Sequence, residues 1–184
     1  MQEEKQRIRK LAGFQILHTA RRLPIVKITP EQWTSPETTQ RILKQFPNKR
    51  TLVLCHGHTY PRRPKLPDSS TVFYVDINPV ARPDFVGDIR NTIFMANFPE
   101  NYFNLVILTY LPPPNPFSSR NRNIYWGVNR LLRPGGRLQS HYLYQMLARR
   151  PHATMESVQQ IIQTEGKKYF REATTSGVMA VFSK

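Results

Sequence analysis

Four short runs rich in apolar and β-branched residues, Thr51–Cys55, Thr71–Asp76, Asp84–Gly87 and Asn104–Thr109, constrain the fold of this chain more than any other feature. Each is too short for a helix, and each is apolar on successive rather than alternate residues, the pattern of strands covered on both faces. A parallel sheet with helices on its two sides supplies those covers. Helical patterns stand where such a sheet needs its connections. Residues 119–132 place Ile124, Val128, Leu131 and Leu132 on one stripe, and Thr154 can cap a helix that buries Val158, Ile161 and Ile162 and stops at Gly166. Pro134-Gly135-Gly136 is expected to end the first of these helices before a strand over 137–144. Two last runs, Tyr169–Thr174 and Val178–Ser183, joined by Thr175-Ser176-Gly177, read as an antiparallel hairpin at the end of the sheet.

The N-terminal quarter has a different character. Residues 4–23 carry Ile8, Leu11, Ala12, Ile16, Ala20 and Leu23 at helical spacing, with Lys5, Arg7, Lys10, Arg21 and Arg22 largely on other faces and Pro24 ending the pattern. Such a basic amphipathic helix packs its stripe on the domain or offers it to nucleic acid, an anionic membrane or a protein partner. Residues 25–35 read as extended or irregular, and Ser35 before Pro36-Glu37 is an N-cap signature for a helix to about Phe46. The chain therefore divides into a basic helical extension over 1–49 and an α/β domain over 50–184. A length of 184 residues suits one domain with an appendage.

Charge points to the partner. There are 27 Lys and Arg against 12 Asp and Glu, a net charge of +15, and no acid falls between Glu100 and Glu156 while Arg120, Arg122, Arg130, Arg133, Arg137, Arg149 and Arg150 do. Nucleic acid is the expected polyanion. No apolar run approaches a membrane span, and Glu3 and Glu4 do not suit a signal peptide, so membrane association is not expected and a soluble, intracellular protein of cytoplasm, nucleus or nucleoprotein particle is. The single cysteine, Cys55, excludes an internal disulfide and a cysteine-built zinc site. His56 and His58 lack a third ligand at a supporting spacing, so no metal is expected and the two histidines are read as lining a cleft. Ligands of open α/β sheets bind beyond the carboxyl ends of the strands. On that rim the proline-stiffened loop places Arg62, Arg63 and Lys65, the segment after the fourth strand adds Arg120 and Arg122, and Tyr60, Tyr110, Phe117, Tyr125 and Trp126 lie near in sequence to stack bases.

The order of elements, five strands with crossovers and then a helix and a hairpin, resembles the class I S-adenosylmethionine-dependent methyltransferase fold, a Rossmann-like sandwich. Several segments carry the likeness. Thr51-Leu-Val-Leu-Cys-His-Gly57 stands where the family has its glycine-rich cofactor loop, and Val75-Asp76-Ile77-Asn78-Pro79 is similar to the end of its second strand. Asp84-Phe-Val-Gly-Asp88-Ile89 is similar to the third-strand motif, Phe98–Leu108 to the approach to strand 4, and Val128–Leu138 to the segment entering strand 5. The resemblance implies that Asp76 accepts the cofactor's ribose hydroxyls, that Asp88 and the amide of Ile89 meet the adenine edge, and that His56, Gly57, His58, Ile77 and Thr109 complete the cofactor contacts. The acid about twenty residues beyond the glycine turn suits that chemistry.

The departures have physical consequences. The family loop runs approximately acid-x-Gly-x-Gly-x-Gly, whereas here Cys55 stands at the acid and, after Gly57, His58, Thr59, Tyr60 and Pro61 fill the rest. Loss of two glycines restricts the backbone's approach to the cofactor, and loss of the acid removes the counter-charge to its ammonium group. Pro61, Pro64 and Pro67 exclude the usual helix after strand 1, and the link from Asp76 to Asp84 is too short for one. Tyr110-Leu-Pro-Pro-Pro-Asn115-Pro-Phe117 follows strand 4, where amino-group methyltransferases carry an Asp/Asn-Pro-Pro-aromatic motif, but its polar residue comes after the prolines. No catalytic residue is identified. Two functions stay open: an S-adenosylmethionine-dependent methyltransferase-like protein acting on or bound to nucleic acid, and a catalytically inactive protein of the same fold serving as a nucleic-acid-binding or assembly subunit.

Overall fold

The apolar runs become strands β1 (Thr51–Leu54), β2 (Val72–Asp76), β3 (Phe85–Val86) and β4 (Phe103–Leu108), followed by β5 (Leu132–Ser140), β6 (Glu172–Ser176) and β7 (Met179–Ser183). The structure, a computed structural model, describes residues 26, 28–55, 70–109, 121–140, 154–176 and 179–184. One sheet holds all seven strands in the order β3-β2-β1-β4-β5-β7-β6. β1 runs parallel to β2 and β4, β2 to β3, and β4 to β5, while β7 is antiparallel to both β5 and β6. This is the mostly parallel Rossmann-like sandwich with a terminal hairpin that the element order leads one to expect.

Strand alternation divides the apolar residues between the two faces. Leu52, Leu54, Phe73, Val75, Phe85, Val106, Leu108 and Leu138 join the main core, and Val53, Val72 and Ile107 form a smaller cluster with Tyr74 and Leu105. Rings fill the main core: Phe73 lies 5.5 Å from Phe85, Phe85 5.0 Å from Phe98, and Phe98 5.7 Å from Phe94, the last two pairs edge to face. Among the described residues, four helices border the sheet: α1 (Pro36–Gln45), α2 (Thr92–Ala96), α3 (Arg122–Leu131) and α4 (Met155–Gly166). Ser35 caps α1 by accepting from the Thr38 amide at 3.2 Å, and Thr154 caps α4 by accepting from the Ser157 amide at 3.2 Å, both as the sequence suggests. Helix α2 is too short to show a periodicity and was not expected; Asn91 starts it by accepting from the amides of Ile93 and Phe94.

Residues 28–35 are tied to the β3 edge. A single 3-10 turn, Pro30–Gln32, precedes Trp33, whose ring meets Phe94 at 5.8 Å. The Thr34 amide then donates to the Val86 carbonyl at 2.9 Å, and the Val86 amide donates to the Thr34 hydroxyl at 2.8 Å. Val86 of β3 thus gains partners for both its amide and its carbonyl on the outer side of the strand. The helix expected over residues 4–23 lies outside the described residues.

Two expectations need correction. Pro134-Gly135-Gly136 is not a helix stop followed by a strand: α3 ends at Leu131, and β5 begins at once at Leu132 and runs through the triplet. Phe103 pairs with Leu132 but Leu105 pairs with Arg137, so residues 133–136 bulge from the ladder, with Gly135 at φ 75°. A Cβ on Gly136 would lie 2.8 Å from the Arg133 carbonyl oxygen, which makes that glycine a matter of space. The second correction concerns Tyr169–Arg171, which precede β6 rather than form it, because the Tyr169 and Phe170 amides both turn back to the Gly166 carbonyl at 3.0 Å.

Candidate functional site

Strand order reverses between β1 and β4, and the carboxyl ends of those strands, with β2 and β3 beside them, form the crevice where open α/β sheets hold ligands. At the tip of β1 the Cys55 amide still pairs with the Val75 carbonyl at 3.0 Å, but its φ of 55° turns the chain out of the sheet. A non-glycine residue in that region costs about 1 kcal/mol. Thr109, just past β4, fastens the turn from the other side. Its amide donates to the Leu54 carbonyl at 3.2 Å and its hydroxyl at 3.0 Å, with the Cys55 carbonyl also within the hydroxyl's reach.

β2 ends in Asp76, which is only 4 % exposed. Its Oδ1 accepts from the Asn78 amide at 2.8 Å, and its carbonyl accepts from the Gly87 amide at 3.0 Å. Asn78, itself buried, accepts from the Val80 amide at 3.1 Å and starts the 3-10 turn Pro79–Ala81 that spans the short link to β3. Between them Ile77 stands 44 % exposed, an apolar side chain presented beside a buried carboxylate. Asp84 serves the sheet instead: its Oδ2 accepts from the Tyr74 amide at 2.8 Å, one residue before β3 begins.

Asp88 follows β3 and is held by Arg90. The guanidinium donates through Nε to Oδ1 at 2.9 Å and through Nη2 to Oδ2 at 2.7 Å, and the Arg90 amide adds a bond to Oδ1 at 2.9 Å. That bidentate pair keeps the Arg90 guanidinium firmly charged. Ile89 is buried in the core, so only its backbone remains for a ligand. Burial, and then the charges of Asp76 and Asp88, push the Cys55 thiol well above its ordinary range. The tips of β1, β2 and β3 therefore converge on one electrostatic neighbourhood.

Of the residues singled out in the sequence, Asp76, Ile77, Asp88, Ile89 and Thr109 occupy the ends of β2, β3 and β4. His56, Gly57, His58, Arg62, Arg63, Lys65 and Arg120 lie outside the described residues. Arg122 is exposed in the first turn of α3. The sequence reading missed Arg90, although a cation two residues after a strand-end acid is a legible signal for a local pair. Among the described residues, no group of three His, Cys, Asp or Glu is gathered for a metal, and no helix is long and apolar enough to cross a membrane.

Comparison with solved structures returns methyltransferases. The antibiotic-resistance methyltransferase Kmr is 13 % identical over 86 % of this chain and 93 % of its own, with a TM-score of 0.48. The aminoglycoside resistance methyltransferase NpmB1 is 13 % identical over 89 % and 97 %, with a TM-score of 0.43. MycE, a methyltransferase of the mycinamycin biosynthetic pathway solved with Mg and SAH, is 15 % identical over 85 % of this chain, which spans 50 % of the MycE chain, with a TM-score of 0.47. No protein family and no curated protein matches in sequence. The fold is the class I methyltransferase fold. Its strand order and the reversed last strand carry that statement without help from the overall likenesses. In the methyltransferase fold found here, the two acids Asp76 and Asp88 occupy adjacent strand ends at the crevice.

Proposed function

We propose that the protein is an S-adenosylmethionine-dependent methyltransferase-like protein that acts on, or is bound to, nucleic acid. The observation that supports the cofactor part is the buried Asp76 carboxylate at the tip of β2 with exposed Ile77 beside it, in the crevice next to the strand reversal. This pair fits a nucleoside: the carboxylate accepts hydrogen bonds from two ribose hydroxyls, and Ile77 offers an apolar surface to a flat base. Asp88 and the Ile89 amide suit the base's polar edge once Arg90 shares or releases the carboxylate. The cofactor, when bound, supplies an electrophilic methyl group. The chain's task is then chiefly alignment, which needs no general base. The nucleic-acid part is supported by the net charge of +15 and by Arg122 at the rim.

Calorimetric titration with S-adenosylhomocysteine tests the cofactor part. Micromolar binding is expected, equivalent to about 8 kcal/mol, with at least tenfold weakening in Asp76→Asn, a change that keeps an acceptor for the Asn78 amide. Absence of binding at millimolar ligand in folded protein would refute it. One observation favours the second reading, a catalytically inactive subunit of the same fold. Where the family has an acid, the Cys55 thiol is held neutral by burial and by Asp76 and Asp88, and so offers no counter-charge to an ammonium group.

A further inference from the structure

We infer that the outward face of α3, continued by the β5 bulge and the turn after α4, is a docking track for a single-stranded polynucleotide, with Trp126 as its base-stacking platform. The inference rests on the nucleic-acid part of the reading above and not on the cofactor part.

Arg122, Trp126 and Arg130 recur every four residues on α3, so they share one face at steps of about 6 Å. The opposite stripe, Ile124, Tyr125, Val128 and Leu131, is fully buried. Trp126 is 61 % exposed, an expensive place for the largest aromatic side chain unless something covers it. Its ring is also pinned. Tyr169 meets it edge-on at 5.7 Å and 86°, and the Tyr169 carbonyl accepts from Asn129 Nδ2 at 2.6 Å. A flat, pre-positioned indole open to solvent is what an unstacked base requires, and loss of little side-chain freedom accompanies the contact.

The cations around it divide into two sets. Arg130 is committed: its Nη2 donates to the carbonyls of Met95 at 2.6 Å and Phe98 at 2.9 Å, so it closes the end of α2 rather than meeting a ligand. Arg122, Arg133, Arg137 and Lys167 are exposed and enter no ion pair among the described residues. Arg133 and Arg137 flank the bulge where α3 runs into β5, and Lys167 sits two residues before Tyr169. α3 begins on the side of the sheet where β4 ends and finishes where β5 begins, so the track leads from the far edge to the rim of the candidate site. A duplex keeps its bases stacked and leaves the indole unused, which singles out the unpaired strand.

Fluorescence anisotropy with labelled oligothymidylate and oligouridylate of about 20 nucleotides, set against a duplex of equal length, tests this, with S-adenosylhomocysteine titration of the same samples in parallel. Trp126→Leu is expected to weaken single-strand binding about tenfold or more while Trp126→Phe retains most of it, and neither should alter S-adenosylhomocysteine binding. Arg133→Gln with Arg137→Gln should flatten the dependence of log K on log salt by about 1–2. Equal affinity for duplex, tighter binding to anionic phospholipid vesicles, or undiminished single-strand binding by folded Trp126→Leu would each overturn the track. The last result would leave nucleic-acid binding itself standing, whereas wild-type protein that binds no nucleic acid would remove both.

Discussion

Gly87→Ala should be among the most damaging single-methyl additions to this fold. Gly87 joins β3 to Asp88, and its amide is fixed to the Asp76 carbonyl at 3.0 Å. A Cβ there would fall 2.3 Å from Phe94 Cε2, 2.4 Å from Cδ2 and 2.5 Å from Cζ. Carbon atoms pack at about 3.5–4.0 Å, so the ring must retreat by more than about 1 Å. It has no room to do so, since Phe94 is buried between Trp33 at 5.8 Å and Phe98 at 5.7 Å, and Phe98 abuts Phe85 at 5.0 Å. Overpacking of this kind costs about 1–3 kcal/mol, and the immobile ring puts this site near the upper end. In a domain of this size that corresponds to a fall in Tm of about 5–10 °C. Urea unfolding should show a lower midpoint at unchanged m-value. Phe94→Leu opens the space, so the double variant should be less destabilised than the sum of the singles by about 1 kcal/mol or more. A loss below about 0.5 kcal/mol for Gly87→Ala, or strictly additive costs, would refute the argument from space.

Two further outcomes follow from named contacts. Arg130→Met should cost about 2 kcal/mol by leaving the Met95 and Phe98 carbonyls without their charged donor, whereas Glu100→Gln, which removes only a 3.6 Å ion pair on an exposed acid, should cost under about 0.5 kcal/mol; denaturant midpoints measure both. The Cys55 thiol keeps its proton in the folded state above the ordinary value of 9.0, where the unfolded chain releases it, so stability should fall as pH rises past 9 with a slope approaching about 1.4 kcal/mol per pH unit. Unfolding curves of wild type and Cys55→Ala from pH 8 to 10.5 should therefore diverge, and parallel curves would refute the assignment.

Much of the architecture is legible because strong local signals agree with it. Apolar runs at 51–55, 71–76 and 104–109 are strands since both faces are covered, and Ser35 and Thr154 start helices by accepting amides their side chains can reach. What escaped the sequence depends on tertiary register. Pro134-Gly135-Gly136 carries the chemistry of a helix stop, yet it is absorbed into β5 because Leu132 already pairs with Phe103 and residues 133–136 fall between that pair and the next, Leu105 with Arg137. Likewise α2 is held by Asn91 at one end and Arg130 at the other, a clamp between residues 39 apart that no window of sequence reveals. The placement of Asp76 and Asp88 at strand ends was legible from the apolar runs that precede them. The left-handed turn at Cys55 and the pairing of Asp88 with Arg90 were not, since both depend on where the strand tips meet.

The segregation of charge bears on how a chain of net +15 would suit the proposed cofactor, which itself carries a sulfonium cation. Exposed charges more than about 8–10 Å apart are screened at physiological salt, so the arginines of the β5 bulge contribute little at the opposite edge of the sheet. The local field at the crevice belongs to Asp76 and Asp88 on one side and Arg90 on the other. Asp76 is buried, where its charge acts through a lower dielectric, while the Asp88–Arg90 pair is partly exposed and largely self-cancelling. On the proposed reading, a cationic ligand would be attracted chiefly through Asp76, and a polyanion at Arg133 and Arg137 would lie too far off to compete with it. The strand ends of β2 and β3 that carry the acids and the bulge of β5 that carries Arg133 and Arg137 lie at opposite ends of one parallel sheet.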